Sequence, residues 1–348
     1  MLNLFISTPL ERIHVDRIRS VAPEAVNVAY DPALLPPTRY TSDHKGEETF
    51  ARPHSLEEQW RTCLAAADIL FDFPQSSADG TGGMSLAQRV KWIQTTSSGV
   101  GQTVRKLGLQ DSDVLITTAR GIHARPLTEF VFLGLLEHFK QRRHLAREQS
   151  AHHWERYCGD GLAGKTLAVI GAGGVGTQVL AVGRAFGMRT VALSRNGSAK
   201  TAEDVNADEL FPPARLHDML GAADALVLSI PHTPETEHLI DSAAIAALKP
   251  GAVFVNVARG QVVDEEALIE ALESKHIAFA ALDVFQTEPL PADSRLWDLD
   301  NVLVSPHSAS TVTAENRMIT DIFCHNLRCY VEGRLDDMKN VLDKERMY

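Results

Sequence analysis

The chain has 348 residues, of which 44% are hydrophobic and 23% charged, and its formal net charge is −11. That length and composition supply cores for two domains and exclude a disordered chain. The acidic balance argues against nucleic-acid binding, which leaves a basic footprint, while a local arginine still admits an anionic substrate.

The first segment, Met1 to Ser7, has no basic residues before its apolar run and reads as a strand over Leu2–Ile6, not as a signal peptide. No run of 18 apolar residues predicts a transmembrane helix. Further strands are predicted at 67–71, 90–95 and 114–118, separated by helical stretches, which implies βα units and a parallel sheet. Pro32 to Glu48 and Gln75 to Gly83 read as loops from their proline, glycine and polar content. Near Pro126 a helix opens and is expected to run from about Leu127 to Gln149, apolar first and charged later, as a bridge between domains. Glu137, His138 and His144 on it are expected at the surface. Ser150 to Gly161, with the solvated pair His152-His153, reads as a connecting arm. From Gly164 onward strands are predicted near Thr166–Ile170, Arg189–Ser194, Ala225–Ile230, Ala252–Val257, Ala278–Leu282 and Val302–Val304. Helices fill the intervals, among them Asp264 to Ser274 with Asp264 as its cap. The cysteines, Cys63, Cys158, Cys324 and Cys329, form no C-x-x-C pair and are expected to be free buried thiols in a reducing cytoplasm. No thiol nucleophile and no metal ligand set is expected, because neither the cysteines nor His152-His153 have partners at the required spacing.

The strand ending Leu167-Ala168-Val169-Ile170 runs directly into Gly171-Ala172-Gly173-Gly174-Val175-Gly176, with helix beyond. In a strand–turn–helix of this kind the first glycine makes the tight turn. The second admits a pyrophosphate to the backbone, the last lets the helix pack on the strand, and the helix N-terminal amides face the phosphates. Gly171, Gly173, Gly174, Val175 and Gly176 are therefore expected to hold a dinucleotide. The next strand ends in Leu193-Ser194-Arg195-Asn196, and Ser194 stands 23 residues after Gly171, where an NAD enzyme carries an acidic residue for the ribose 2′-hydroxyl. Ser194, Arg195 and Asn196, with Lys200 as a further cation, would instead welcome a 2′-phosphate. NADP(H) is thus the expected cofactor, with NAD(H) still admissible.

Three later segments carry acid–base and carboxylate-binding groups: Val257-Ala258-Arg259-Gly260, Asp283-Val284-Phe285 with Glu288-Pro289, and Ser305-Pro306-His307-Ser308. An arginine fork matches a carboxylate and stays charged. A histidine beside a glutamate can pass a proton at neutral pH.

These motifs together, with the tail Lys339-Asn340-Val341-Leu342-Asp343, resemble the D-isomer-specific 2-hydroxyacid dehydrogenase family over nearly the whole chain. Ser194-Arg195 looks more like its NADPH-using glyoxylate and hydroxypyruvate reductases. The resemblance implies an α/β chain of two Rossmann-like, doubly wound parallel-sheet domains with the active site in a cleft between them. Residues 1–118 plus 309–348 would form the substrate domain and 119–308 the cofactor domain. It further implies that Arg259 holds the substrate carboxylate and keto oxygen, that His307 is the general acid/base and that Glu288 is its partner. Asp283 would contact the nicotinamide carboxamide, while Ile230, Pro231 and Val257 would line the cofactor. The backbone of Ser97, Ser98 and Gly99 would hold the substrate carboxylate. Formate dehydrogenases of this superfamily resemble the pattern but carry glutamine in place of Glu288, which argues against formate. The expected reaction is NADPH-dependent reduction of a small 2-keto acid by a cytoplasmic homodimer, with the 150–161 arm crossing to the partner copy. Two alternatives stay open: an NAD-dependent enzyme for a larger keto acid such as phenylpyruvate, and a non-catalytic dinucleotide sensor like the corepressors that resemble this family.

Overall fold

The computed structural model describes residues 1–47, 49–75, 83–193 and 201–345. It divides into two compact units, one made of Met1–Ile122 with Thr311–Tyr348 and the other of the continuous stretch His123–Ser310.

The first unit is built on strands β1 (Leu2–Ile6), β2 (Val26–Ala29), β3 (Ile69–Phe71), β4 (Trp92–Gln94) and β5 (Leu115–Thr117). Their order is β2-β1-β3-β4-β5 and every pairing is parallel, a doubly wound arrangement with its switch point between β1 and β3. Alternation along the strands divides two cores. Leu4, Ile6, Ile69, Phe71 and Trp92 face one side, and Phe5, Leu70, Ile93 and Ile116 face the other. Helices α1 (Arg12–Arg19), α2 (His54–Ala66) and α3 (Gly101–Lys106) belong to this unit. The C-terminal helix Glu315–Val331 joins them, sending Ile319, Phe323 and Leu327 into the first core. The Phe323 ring lies 5.0 Å from Phe71 and 5.1 Å from Trp92. The tail then returns to β5, where Asn340 donates to the carbonyls of Thr118 (3.1 Å) and Arg120 (2.7 Å).

Within the loop predicted from Pro32, Asp43 is 2% exposed and organises its neighbours. It accepts from the Arg39 guanidinium at 2.8 and 3.0 Å and from the N–H groups of Arg39, Lys45 and Gly46. Burial alone would raise its carboxyl, but those donors overrule it and hold the group well below the usual carboxylate range. Glu48 and most of the second loop (76–82) lie outside the described residues.

The second unit carries β6 (Thr166–Ile170), β7 (Arg189–Leu193), β8 (Glu209–Phe211), β9 (Ala225–Leu228), β10 (Ala252–Asn256), β11 (Ile277–Leu282) and β12 (Val302–Val304). The order β12-β11-β10-β9-β6-β7-β8, again wholly parallel, is the dinucleotide-binding winding, with its switch point between β6 and β9. Its central strands are almost wholly apolar because helices cover both faces. Ala168, Ile170, Leu226, Leu228 and Phe254 pack on one side, while Leu167, Val169, Val227, Val253 and Val255 pack on the other. The helices are α4 (Ala124–Phe139), α5 (Arg142–Ser150), α6 (Gly174–Ala185), α7 (Leu216–Ala222), α8 (Ser242–Ala247) and α9 (Glu265–Glu273). As expected, Asp264 caps α9, accepting from the Ala267 N–H at 3.1 Å.

Three expectations need correction. The single helix predicted to Gln149 is two, because Gln141 adopts a left-handed conformation (φ 51°) that no α-helix continues through. Glu137 is not at the surface: it is 6% exposed, and α5, turning back after Gln141, brings Arg143 (3.0 Å) and Arg142 (3.4 Å) onto its carboxylate. All four cysteines are free, but Cys158 is exposed on the arm, not buried. Strands β2 and β8 were not expected; both are sheet edges of only four and three residues.

Candidate active site

In the second unit the C-terminal ends of neighbouring parallel strands deliver the chemistry-bearing segments, which is where ligands bind in such sheets. Beyond β6 comes the glycine turn. Gly171 takes φ 106°, and a Cβ at Gly176 would stand 1.9 Å from the Gly171 carbonyl oxygen, so only glycine lets the helix approach the strand here. Across the switch point Ser229 donates from Oγ to that same oxygen at 2.8 Å, and Ile230 packs against Gly171. Gly173 and Gly174 are exposed, a Cβ on either would meet nothing within 4 Å, and α6 begins there with no side-chain cap on its first N–H groups. An open, donor-rich helix start with glycines at the closest approach fits a dinucleotide pyrophosphate. Val175 sits in the first turn of α6, Pro231 follows Ile230, and Val257, 7% exposed, directly follows β10. Ser194, Arg195, Asn196 and Lys200 lie outside the described residues.

Beyond β10, buried Asn256 shapes the arginine turn. Its Oδ1 accepts from the Ala258 N–H (3.0 Å) and its Nδ2 donates to the Arg259 carbonyl (3.2 Å). Sequence reasoning passed over Asn256, although an asparagine ending a strand is a turn signal in its own right. The Arg259 guanidinium donates to the Ala258 carbonyl at 2.6 Å and forms no ion pair among the described residues. Gly260 was also passed over. A Cβ there would lie 1.9 Å from the carbonyl carbon of Phe285 and 2.3 Å from the nitrogen of Gln286. The arginine turn and the segment leading to Glu288 therefore touch backbone to backbone.

Glu288 and His307 are brought together as the sequence predicts, with Nδ1 of the imidazole 2.8 Å from Oε2 of the carboxylate and both side chains partly exposed. Glu288 Oε1 accepts from the Phe285 N–H at 3.1 Å. Burial would raise this carboxyl, but the histidine, that N–H and the nearby charge of Arg259 outweigh it and hold the group below its ordinary range. The Glu288 carboxylate thus engages the Nδ1 side of the His307 ring.

His307 itself sits at φ 55°, a left-handed conformation costly for a non-glycine residue. Its N–H donates to the Asp283 carbonyl at 2.9 Å. The Asp283 side chain is 2% exposed, and its Oδ1 accepts from Ser305 Oγ (2.6 Å) and from the N–H groups of Ser308 and Ala309 (2.9 Å each). Burial pushes this carboxyl up, against those donors. Asp283 is therefore the anchor of the histidine loop, a contact that the motif did not reveal.

In the first unit Ser97, Ser98 and Gly99 follow β4 and precede α3. The Ser97 carbonyl is tied down by Thr95 Oγ1 (2.7 Å) and the Ala119 N–H (3.2 Å). Among the described residues no group of three or more His, Cys, Asp or Glu side chains could hold a metal, and no helix is long and apolar enough to cross a membrane.

The sequence matches the model of the D-isomer specific 2-hydroxyacid dehydrogenase NAD binding domain over residues 132–309. It is 31% identical over 255 residues to an uncharacterised Corynebacterium melassecola protein, covering 71% of this chain and 81% of that one. With the glyoxylate reductase of Aeropyrum pernix it shares 31% identity over 241 residues, 67% of this chain and 70% of that protein. A D-3-phosphoglycerate dehydrogenase from Mycobacterium leprae is 37% identical over 62% of this chain, but the match spans only 42% of that longer protein. Among solved structures, a D-isomer specific 2-hydroxyacid dehydrogenase from Xanthobacter autotrophicus in complex with NADPH and MES aligns with a TM-score of 0.74 and 27% identity, covering 100% of this chain and 99% of that one. The chain belongs to the D-isomer-specific 2-hydroxyacid dehydrogenase family, whose members are NAD(P)-dependent oxidoreductases.

Proposed function

We propose that this 2-hydroxyacid dehydrogenase works as an NADPH-dependent reductase of a small 2-keto acid of the glyoxylate or hydroxypyruvate kind. The observation that carries the proposal is the arrangement in the second unit: a histidine–carboxylate pair at 2.8 Å near an arginine that has no ion partner among the described residues. The reduced nicotinamide, when bound, supplies the hydride. Arg259 binds the substrate carboxylate and draws electron density from the keto oxygen. His307 gives that oxygen a proton from Nε2, and Glu288 stabilises the imidazolium that precedes the transfer. In the reverse direction the same nitrogen takes the proton from the hydroxyl. The backbone of Ser97, Ser98 and Gly99 is assigned to the substrate carboxylate. Gly171 to Gly176 take the pyrophosphate, Ile230, Pro231 and Val257 the nicotinamide half, and Asp283 its carboxamide.

The choice of NADPH rests on Ser194-Arg195-Asn196, which offers a cation where an NAD enzyme offers a carboxylate. The NADPH-bound relative supports it. We also assign the chain to a reducing cytoplasm, in keeping with four free thiols, and to a homodimer in which the arm with Trp154, 95% exposed, meets the second copy.

The test follows NADPH and NADH oxidation by absorbance with glyoxylate, hydroxypyruvate, pyruvate and phenylpyruvate. Fast NADPH loss with the first two is the expected result. A preference for NADH with phenylpyruvate would replace the reading with the NAD-dependent alternative. Cofactor binding without turnover would favour a sensor.

A further inference from the structure

Asp72, one residue past β3, lies at the edge of the first unit's switch point and has a left-handed backbone (φ 73°). In a non-glycine residue that conformation is costly and persists only where the surroundings over-determine it. They do so here. Its N–H donates to the Gln94 carbonyl at 2.7 Å, and its own carbonyl accepts from Ser7 Oγ at 2.9 Å. Its carboxylate accepts from Thr96 Oγ1 (2.7 Å), from the Phe73 N–H (2.9 Å) and, at longer range, from the Thr96 N–H (3.4 Å). One residue thus gathers the C-terminal ends of β1, β3 and β4.

Glycine would meet the backbone requirement at this position without strain. What glycine lacks is the carboxylate, so the bond to Thr96 is the part of the arrangement that asks for aspartate. Thr96 is 3% exposed and directly precedes Ser97-Ser98-Gly99, whose first carbonyl, that of Ser97, is held in turn by Thr95 Oγ1 and the Ala119 N–H. The Gly99 N–H has no hydrogen-bond partner among the described residues and stands on an exposed residue.

We propose that Asp72 is a positioning residue for substrate binding: its carboxylate, through Thr96, sets the direction of the amides in the Ser97–Gly99 turn. The inference rests on the assignment of that turn to the substrate carboxylate. Asp72 itself touches neither substrate nor cofactor in this scheme. Its removal loosens a binding site and leaves the proton-transfer pair in the second unit intact.

Three single variants and one double variant test this. Asp72→Gly keeps the left-handed backbone and deletes the carboxylate. Asp72→Asn keeps the backbone and one acceptor for Thr96. Thr96→Val deletes the donor. The expected result for Asp72→Gly and Thr96→Val is a rise in keto-acid KM of about tenfold, the loss of roughly one charge-assisted hydrogen bond's worth of order. Their kcat, KM for NADPH and melting temperature should stay close to wild type. Asp72→Asn should restore most of the KM, and the double variant Asp72→Gly/Thr96→Val should be no worse than either single one, because both break the same bond. Titration of the NADPH-loaded protein with oxamate, followed calorimetrically, gives a second readout free of turnover, and the same tenfold weakening is expected. Unchanged keto-acid KM and oxamate affinity in Asp72→Gly overturn the inference while wild-type turnover leaves the reductase reading standing. Equal losses in kcat, NADPH affinity and melting temperature also overturn it and make Asp72 a fold residue. A wild-type protein that neither reduces keto acids nor binds oxamate overturns both readings together.

Discussion

Gly260→Ala is the sharpest perturbation the structure offers. The added methyl would sit 1.9 Å from the Phe285 carbonyl carbon, 2.0 Å from its oxygen and 2.3 Å from the Gln286 nitrogen, all backbone atoms. No side-chain rotation relieves such a clash, so the two segments must part by about 1.5 Å to reach ordinary van der Waals contact. One segment carries Arg259 and the other leads to Glu288, so the groups proposed to bind the substrate carboxylate and to transfer the proton move apart. A displacement near ~1 Å at a catalytic site costs about 100-fold in rate, which corresponds to ~2.7 kcal/mol of transition-state stabilisation. The overpacking itself should cost about 1–3 kcal/mol of stability. Steady-state kcat/KM for glyoxylate at saturating NADPH measures the first effect and thermal unfolding the second. Gly173→Ala is the control, because its Cβ would meet no protein atom within 4 Å. It should keep the melting temperature and weaken only NADPH. If Gly260→Ala retains kcat/KM within about threefold in a protein of wild-type stability, the contact between the two segments does not set catalytic geometry and the reasoning fails.

His307→Asn keeps a residue that tolerates φ 55° and removes the imidazole; kcat should fall by about 10²–10⁴-fold with the NADPH dissociation constant unchanged, and a matching loss of cofactor affinity would mark a structural role instead. Asp43 has a carboxyl held far below its unfolded value of about 3.9, so its contribution to stability is complete above roughly pH 5 and is lost as pH falls through the unfolded value towards the folded one. The melting-temperature gap between wild type and Asp43→Asn should accordingly be widest near neutrality and narrow below about pH 4; a gap that does not vary with pH would contradict the assignment. Ser194→Asp with Arg195→Ala should move the ratio of kcat/KM values towards NADH, and an unchanged ratio would mean that the 2′-phosphate is read elsewhere.

The interior strands of the second unit were legible because both of their faces are buried, which writes near-continuous apolar runs such as Leu167 to Ile170 and Ala252 to Val257. Edge strands leave a weaker trace, and Val26–Ala29 and Glu209–Phe211, short and half-covered, went unread. The break at Gln141 has neither glycine nor proline to announce it; only the pairing of Glu137 with Arg142 and Arg143 shows why the chain turns there. The histidine–glutamate pair could be anticipated from motifs that carry their own local logic. Asn256, whose bonds to Ala258 and Arg259 are local, was legible as a turn signal but went unread; Asp72 and Gly260 could not be anticipated, because their significance depends on which distant backbone each one meets. That information is absent from any window of sequence narrow enough to read.

The first unit takes its hydrophobic core from both ends of the chain. Leu4, Ile6, Phe71 and Trp92 are sealed by Ile319, Phe323, Leu327 and Met338. During synthesis the second unit is complete once Ser310 has emerged, but the first must wait for Thr311 to Tyr348. At ~5–20 residues per second that delay after Ile122 lasts roughly 10–45 s. Through that interval an aromatic sheet face stands uncovered on the ribosome-bound chain. This uncovered face is where nascent-chain chaperones should be found, and where truncation near the C-terminus should cause aggregation before it costs any chemistry.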